Sequence, residues 1–480
     1  MPENNGVRKP AAAGRFYPAE KEILARMVND FLRNAKQCDI GPQTIKAIVV
    51  PHAGYVFSGA TAGAAFACAR DLNFETAVIL GAGHTAGIKT AALYGKGSFS
   101  TPLGSLEIDG ELSDYLIAKH PALFDVAPSA HLKEHSIEVQ LPFLQTIKSK
   151  ARILPVLLNF ADAKTASAIG RALADALEGK KALIIASTDL SHYPPQAAAR
   201  KGDLSTLKAL EISARINAPE YFAKAVEMLM ARKLPGFETA CCGEAAVMAA
   251  IAAACSLGAD DFRLIEYSNS GQVPGADSEN TVGYGAGAFV RRGGKAEVMD
   301  LTPEHKTELL KLARLSLETK LDSGRAYAPE LSDRPIFNVP AAAFVTLTSD
   351  GDLRGCIGSL EPADTLQDAV CRLAVSAGFE DPRFEALTRV ELAGIKIEIS
   401  VLSPLRQITG PDEIVPGRHG VLIRKGRSGG TYLPQVWEHF NDDREKFMAS
   451  LCAEKAGLPP DAWKKPGADI YVYTAQVFEE

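Results

Sequence analysis

The sequence predicts an α/β N-terminal domain with a largely buried sheet flanked by helices, followed by an α+β C-terminal domain with an antiparallel sheet. Three observations carry this expectation. Apolar runs of strand length at the start of 45–59 (IKAIVVPHAGYVFSG), at 76–81 (TAVILG), 153–158 (ILPVLL) and 182–187 (ALIIAS) are spaced by small, helix-prone segments at 60–70 and 163–177. That is the rhythm of strands covered on both faces by helices. Around 291–295 (RRGGK) the character breaks, and Thr302-Pro303 then opens a new amphipathic helix with an N-cap and a proline in its first turn. Beyond it, 341–348, 395–402 and 420–424 alternate like half-buried antiparallel strands, with a helix at 365–377 between them. The expected division is a first domain at 1–292, a linker at 293–301 and a second domain at 302–480.

Composition narrows the class. A chain of 480 residues exceeds what one hydrophobic core usually serves, so more than one domain is expected. The net charge of −6 lacks the basic excess of a nucleic-acid binder, and the cluster Arg424, Lys425, Arg427 reads as a solvated face. No apolar run reaches the roughly 18 residues that span a bilayer. The N-terminal stretch has no apolar signal-peptide core, and eight cysteines lie scattered without a disulfide-framework spacing. These features predict a cytoplasmic protein with reduced thiols, no nucleic acid and no membrane.

Taken in order, the first run stops at Pro51 and delivers His52 to the end of a strand. The second runs into Ala82, Gly83 and His84. Open α/β sheets place their chemistry at such strand ends, so two histidines at two neighbouring ends can converge. The run 182–187 leads into Thr188, Asp189, Leu190, Ser191 and His192. Near 243–257, an Ala-rich helix follows Cys241, Cys242 and Glu244, and a thiolate at a helix start suits a metal ligand or nucleophile. Two imidazoles and one anionic ligand leave open positions on a divalent metal, as in non-haem iron and catalytic zinc sites. Glu238, Glu244 or Asp189 would serve if a carboxylate replaced the thiolate. His131 to His135 (HLKEH) matches a zinc-protease pattern formally. Pro142 in the same apolar-striped segment makes a kinked, packed helix the expectation there, with His135 and Glu138 facing one cleft. Strands at 262–268 and 281–290 complete the first domain.

These residues carry a resemblance. PHAGYVFSG at 51–59, GAGH at 81–84, EHSIEVQLPFL at 134–144, STDLSH at 187–192 and CGE at 242–244 resemble, in order, the motifs of the Memo family. The resemblance implies a fold like that of class III extradiol dioxygenases and metal ligands at His52, His84 and Cys242. It also implies an acid–base residue at His192. From the residues themselves, D-x-x-H at a strand end and H-x-x-E on a helix place Asp189 and His192 at one pocket with His135 or Glu138 on another wall, and Glu244 near the substrate. Fe(II) is the expected metal, with Cu or Zn as alternatives, and the expected substrate is a small molecule. Glu244 and Ala245 stand where the family often has a basic residue and a histidine, which alters the expected substrate contacts.

In the second half, LRGCIGSL at 353–360, FEDPRF at 379–384, IEISVLSP at 397–404, RHGVLI at 418–423 and TYLPQVW at 431–437 resemble the AMMECR1 family. Glycines flanking Cys356 allow close approach to its sulfur. As a nucleophile it would need a base, for which His419 is the candidate by motif, with Arg354 nearby to favour the thiolate. The alternative is a tight turn with an inert buried thiol. The two families occur beside a radical-SAM protein, so the resemblance implies such a partner. The expected function is a dioxygenase-like oxidoreductase fused to an AMMECR1-like domain. The rival expectation is a non-catalytic metal-binding adaptor or peptide-binding scaffold.

Overall fold

An eight-stranded mixed sheet organises the first half of the chain. Its order in space is Asp261–Asn269, Gly283–Val290, Ile45–Val50, Ala182–Ser187, Thr76–Ala82, Arg152–Leu158, Ala91–Leu93 and Phe124–Val126. The four strands from Ile45–Val50 to Arg152–Leu158 are mutually parallel. Their apolar runs are buried on both faces, which explains why they lack the alternation of a half-exposed strand. Each fully buried Leu, Ile or Val contributes about 1.5–3 kcal/mol relative to exposure. Helices cover both faces. The helix Glu244–Ser256 is buried from Ala245 through Ala254, so it shows no polar face.

The computed structural model describes residues 6–41, 44–85, 87–159, 162–293, 298–408 and 410–480. The chain divides into two units, Met1–Ala296 and Glu297–Glu480. Residues 294–297 of the expected linker lie outside the described residues. Among the described residues, no helix is long and apolar enough to cross a membrane.

The second unit holds two antiparallel sheets. In the first, Asp352–Gly358, Pro340–Ser349, Ile395–Leu402 and Ala475–Glu479 lie in that order, with Asp364–Thr365 paired beside Pro340–Ser349. The second runs Arg406–Gln407, Asp469–Tyr473, Gly420–Lys425 and Ser428–Tyr432. The helix Pro303–Ser323 starts where the sequence places it, with the Thr302 hydroxyl accepting from the His305 amide.

Three differences from the sequence reading have physical causes. The kinked helix expected across Pro142 is instead three short pieces, Pro128–His131, a 3₁₀ turn Glu138–Gln140 and Leu141–Ile147. Pro142 falls in the first turn of the last piece, where its missing N–H costs nothing. The helix expected at 60–70 begins earlier, at Tyr55, directly after the His52 loop. The expectation of eight reduced thiols is corrected: Cys38 and Cys68 form a disulfide. The helices Lys21–Asn34 and Tyr55–Cys68 pack together, bringing the two residues to a Cα separation of 5.4 Å.

Candidate metal centre

The strands Ile45–Val50, Ala182–Ser187 and Thr76–Ala82 are neighbours and parallel, so the loops leaving them meet at one edge of the sheet. They deliver His52, the Asp189–His192 segment and His84. A fourth segment, Glu134 to Ile137, crosses close over Gly81. A Cβ on Gly81 would lie 2.6 Å from Ser136 Oγ and 2.7 Å from Ile137 Cγ1, so a side chain there would push the segment away. Ligand atoms of His52, His84 and His135 then lie within 4.8 Å of one another.

Hydrogen bonds fix which nitrogen His52 and His84 can offer. Ser187 Oγ donates its one proton to Ser136 O at 2.6 Å and accepts from Gln140 Nε2 at 2.9 Å. Its remaining partner, His52 Nδ1 at 3.1 Å, must therefore be the donor, which leaves His52 Nε2 with a free electron pair. Burial, aided by the nearby His84, pushes His52 down to about 3, so the ring is neutral and ready to ligate.

Glu134 serves the other two rings. Its Oε1 accepts from the His135 and Ser136 amides at 2.8 and 2.9 Å and lies 3.0 Å from His84 Nδ1 and 3.3 Å from His135 Nδ1. Its Oε2 accepts from the His84 amide at 2.7 Å. Burial opposes the charge on Glu134, but the His84 and Ser136 bonds outweigh it and hold the carboxyl down at about 2. The same bond raises the basicity of His84. Burial pushes His135 down to about 4. His84 thus turns Nδ1–H to a carboxylate and keeps Nε2 for a ligand, the arrangement that orients metal-binding histidines, while the His135 ring lies beside the same carboxylate and is held there by its backbone amide.

Around this trio stand the remaining strand-end residues. Cys242 Sγ is 3.2 Å from His52 Nε2 and accepts from the Asp189 amide at 3.3 Å. Cys241 instead turns its thiol to Thr188 Oγ1 at 3.2 Å, so Cys242 is the thiol at the centre. Asp189 Oδ1 accepts from the His52 amide at 2.7 Å, and Oδ2 is 3.9 Å from His52 Nε2. Burial raises the Asp189 carboxyl. His192, lowered by burial, interacts electrostatically with Asp189 and His84, and its buried Nε2 has no hydrogen-bond partner. The compact imidazole group is therefore His52, His84 and His135, with Cys242 and Asp189 on the His52 side.

Other candidates lie elsewhere. Glu138 is fully buried, and its carboxylate accepts from Arg8, the Ala11 and Ala12 amides and Tyr17. It anchors the segment and does not wall the cleft. Glu238 is exposed, and Glu244 is raised by burial and the nearby Glu227. His131 binds Ala92 O through Nε2 at 3.0 Å between Tyr94 and Phe99, so the protease-like pattern joins no common site. In the second unit, Cys356 lies on the edge strand Asp352–Gly358, where its sulfur accepts from Thr346 at 3.3 Å. Asp381 accepts from its amide and Arg383 donates to its carbonyl. His419 leads into the other sheet, where its Nδ1 accepts from the Val415 amide. Cys356 and the strand that His419 leads into thus belong to different sheets, and Arg354 turns to Glu391 and Glu385.

Sequence reasoning missed Glu134, Ser187 and Gln140 as the residues that orient the rings. The only local signal was a carboxylate directly before His135.

Comparison with known proteins gives two matches. Residues 8–288 match Memo, described as Memo-like protein, and residues 310–478 match AMMECR1. A MEMO1 family protein of Methanopyrus kandleri is 38% identical over 296 residues, covering 60% of this chain and 99% of that protein. Another, of Aquifex aeolicus, is 38% identical over 279 residues, covering 58% and 97%. An uncharacterized protein of Pyrococcus horikoshii, known from a crystal structure, is 35% identical with a TM-score of 0.35, covering 38% of this chain and 93% of that one.

Proposed function

The chain belongs to the Memo family through residues 8–288 and carries an AMMECR1 segment at 310–478, and from that premise we propose that its first unit is a metal-dependent oxidoreductase of the extradiol-dioxygenase type acting on a small molecule. The observation that carries this reading is the set of three imidazoles with converging ligand atoms, the Nδ1 atoms of His52 and His84 being tied outward by hydrogen bonds. The donor set fits a borderline divalent ion, Fe(II) first, with Cu or Zn as alternatives.

His52, His84 and His135 would hold the ion, with Cys242 or Asp189 as the anionic ligand. When bound, Fe(II) supplies a positive centre for a substrate oxygen and one-electron chemistry toward dioxygen. Glu134 keeps the His84 and His135 rings aimed. His192, with a free and buried Nε2, takes a proton from the substrate and returns it to the product. Phe16, packed at a tilt of 31° against His135 at a centroid distance of 4.4 Å, shields one side of the ring from water. Ligands at the carboxyl ends of parallel strands support the likeness to an extradiol dioxygenase fold. A radical-SAM partner is part of the proposal, supported by the AMMECR1 segment alone.

A second reading, a metal-binding adaptor without turnover, is favoured by Val56 and Phe57. They are 69% and 42% exposed just after the His52 loop, where a partner surface would dock. Electron paramagnetic resonance of the Fe(II)-loaded protein under nitric oxide separates the two readings. A high-spin iron–nitrosyl signal, lost in His84→Ala, supports an open position for chemistry. Iron that binds and gives no such signal favours the adaptor.

A further inference from the structure

Arg8 and Glu138 are both fully buried and paired, 130 residues apart in sequence. Buried ion pairs contribute little net stability, because desolvation offsets their attraction, so their place in the fold is the informative property. Arg8 Nε donates to His131 O at 3.0 Å and an Nη donates to Glu134 O at 2.6 Å, while the guanidinium lies over the Phe99 ring. Glu138 accepts from the Ala11 and Ala12 amides, each at 2.8 Å, and from Tyr17 Oη at 2.5 Å. The segment 8–17 is thereby fastened to the segment 131–138, which carries Glu134 and His135. Its far end reaches the other histidine loop: Phe16 O accepts from the Tyr55 amide at 2.7 Å, three residues after His52, and the Phe16 ring packs at a tilt against His135.

We propose that the Arg8–Glu138 pair is a positioning device for the metal centre, setting the distance between the His52 loop and the Glu134–His135 segment without touching a ligand imidazole. The inference rests on the metal-centre reading. It predicts that metal affinity falls when the pair is broken, even where the fold survives.

The test is titration of the full, metal-free chain with Co(II), following affinity and the visible absorption of bound cobalt, alongside thermal unfolding without metal. The variants are Arg8→Met, Glu138→Gln, the apolar double variant Arg8→Met/Glu138→Met, and Arg8→Lys, which keeps a cation for Glu138 but loses the planar fork that also holds His131 O and Glu134 O. The expected result is a loss of affinity of about 10- to 100-fold with an altered cobalt spectrum in each pair variant. The double variant should regain thermal stability over the single variants without regaining affinity, a split that a merely structural pair would not give. If the Met and Gln variants fail to fold, Arg8→Lys decides by a smaller loss of affinity. Wild-type affinity and spectrum in the folded double variant, or in Arg8→Lys when it alone folds, would overturn the proposal. Wild-type chain that binds no Co(II), or binds it equally well after His84→Ala, would overturn the metal-centre reading and this proposal with it.

Discussion

Glu134 shows how much of the centre depends on a side chain that offers no ligand. Replacing it with glutamine keeps the shape but removes the charge that fixes the His84 Nδ1–H and faces the His135 ring. The expected outcome for Glu134→Gln is a metal affinity lower by about 10- to 100-fold, checked by competition titration with a chromophoric chelator. Behind the site, Asp203 is buried and its carboxyl is held up at about 7 by that burial, against the opposing bonds from the Ser191 amide and Tyr267. The native state therefore keeps this proton up to about pH 7, whereas the unfolded chain loses it near ~3.9, so stability falls as pH rises through that window. Asp203→Asn should flatten this slope, measured by denaturant unfolding at about pH 5 and about pH 7.5. An unchanged slope would remove Asp203 as its source. His52, His84 and Cys242 were legible because each closes an apolar run or opens a helix. Glu134 and Arg8 were not, because their partners come from segments that only the fold brings near.

At the level of elements, the helices Ala163–Leu177 and Glu244–Ser256 pack so closely that a Cβ on Gly170 would lie 2.3 Å from Ala249 O. Gly170→Val should cost about 1–3 kcal/mol, read as a lower denaturant midpoint, since backbone must move to admit the side chain. Both helices and the buried strands were readable from composition and length. The helix Gln196–Ile216 was not, because its buried face includes Gly202, Asp203, Ser205 and Thr206, which break the apolar stripe. The edge strand holding Cys356 likewise gave no clue to its neighbours, since Asp381 and Arg383 cap its backbone from a separate loop. Half-buried Cys356 should react with iodoacetamide faster than buried Cys371 and Cys452 in the native chain. His419→Ala should leave that rate unchanged, and a marked slowing would restore His419 as its base.

Over the whole molecule, two units with separate cores let metal and fold be tested independently. One core surrounds the mixed sheet, and another gathers Trp437, Phe447 and Met448 in the second unit. Calorimetry of the full chain should show two transitions, with added divalent metal raising only that of the first unit, by about 2.7 kcal/mol at a hundredfold excess over Kd. The division into an α/β and an α+β half was visible in the change from continuous to alternating apolar runs. The broken helix around Pro142 and the Cys38–Cys68 disulfide were hidden, because they depend on packing between helices.

The central claim is that His52, His84 and His135 hold a divalent metal. Its most direct test is anaerobic purification of the wild-type chain, His52→Ala and His84→Ala, followed by metal analysis and unfolding of each. The account predicts one tightly held divalent ion per wild-type chain, lost from both variants while their folds persist. A wild-type chain that takes up no ion under anaerobic loading, or folded variants that hold it as tightly, would contradict it.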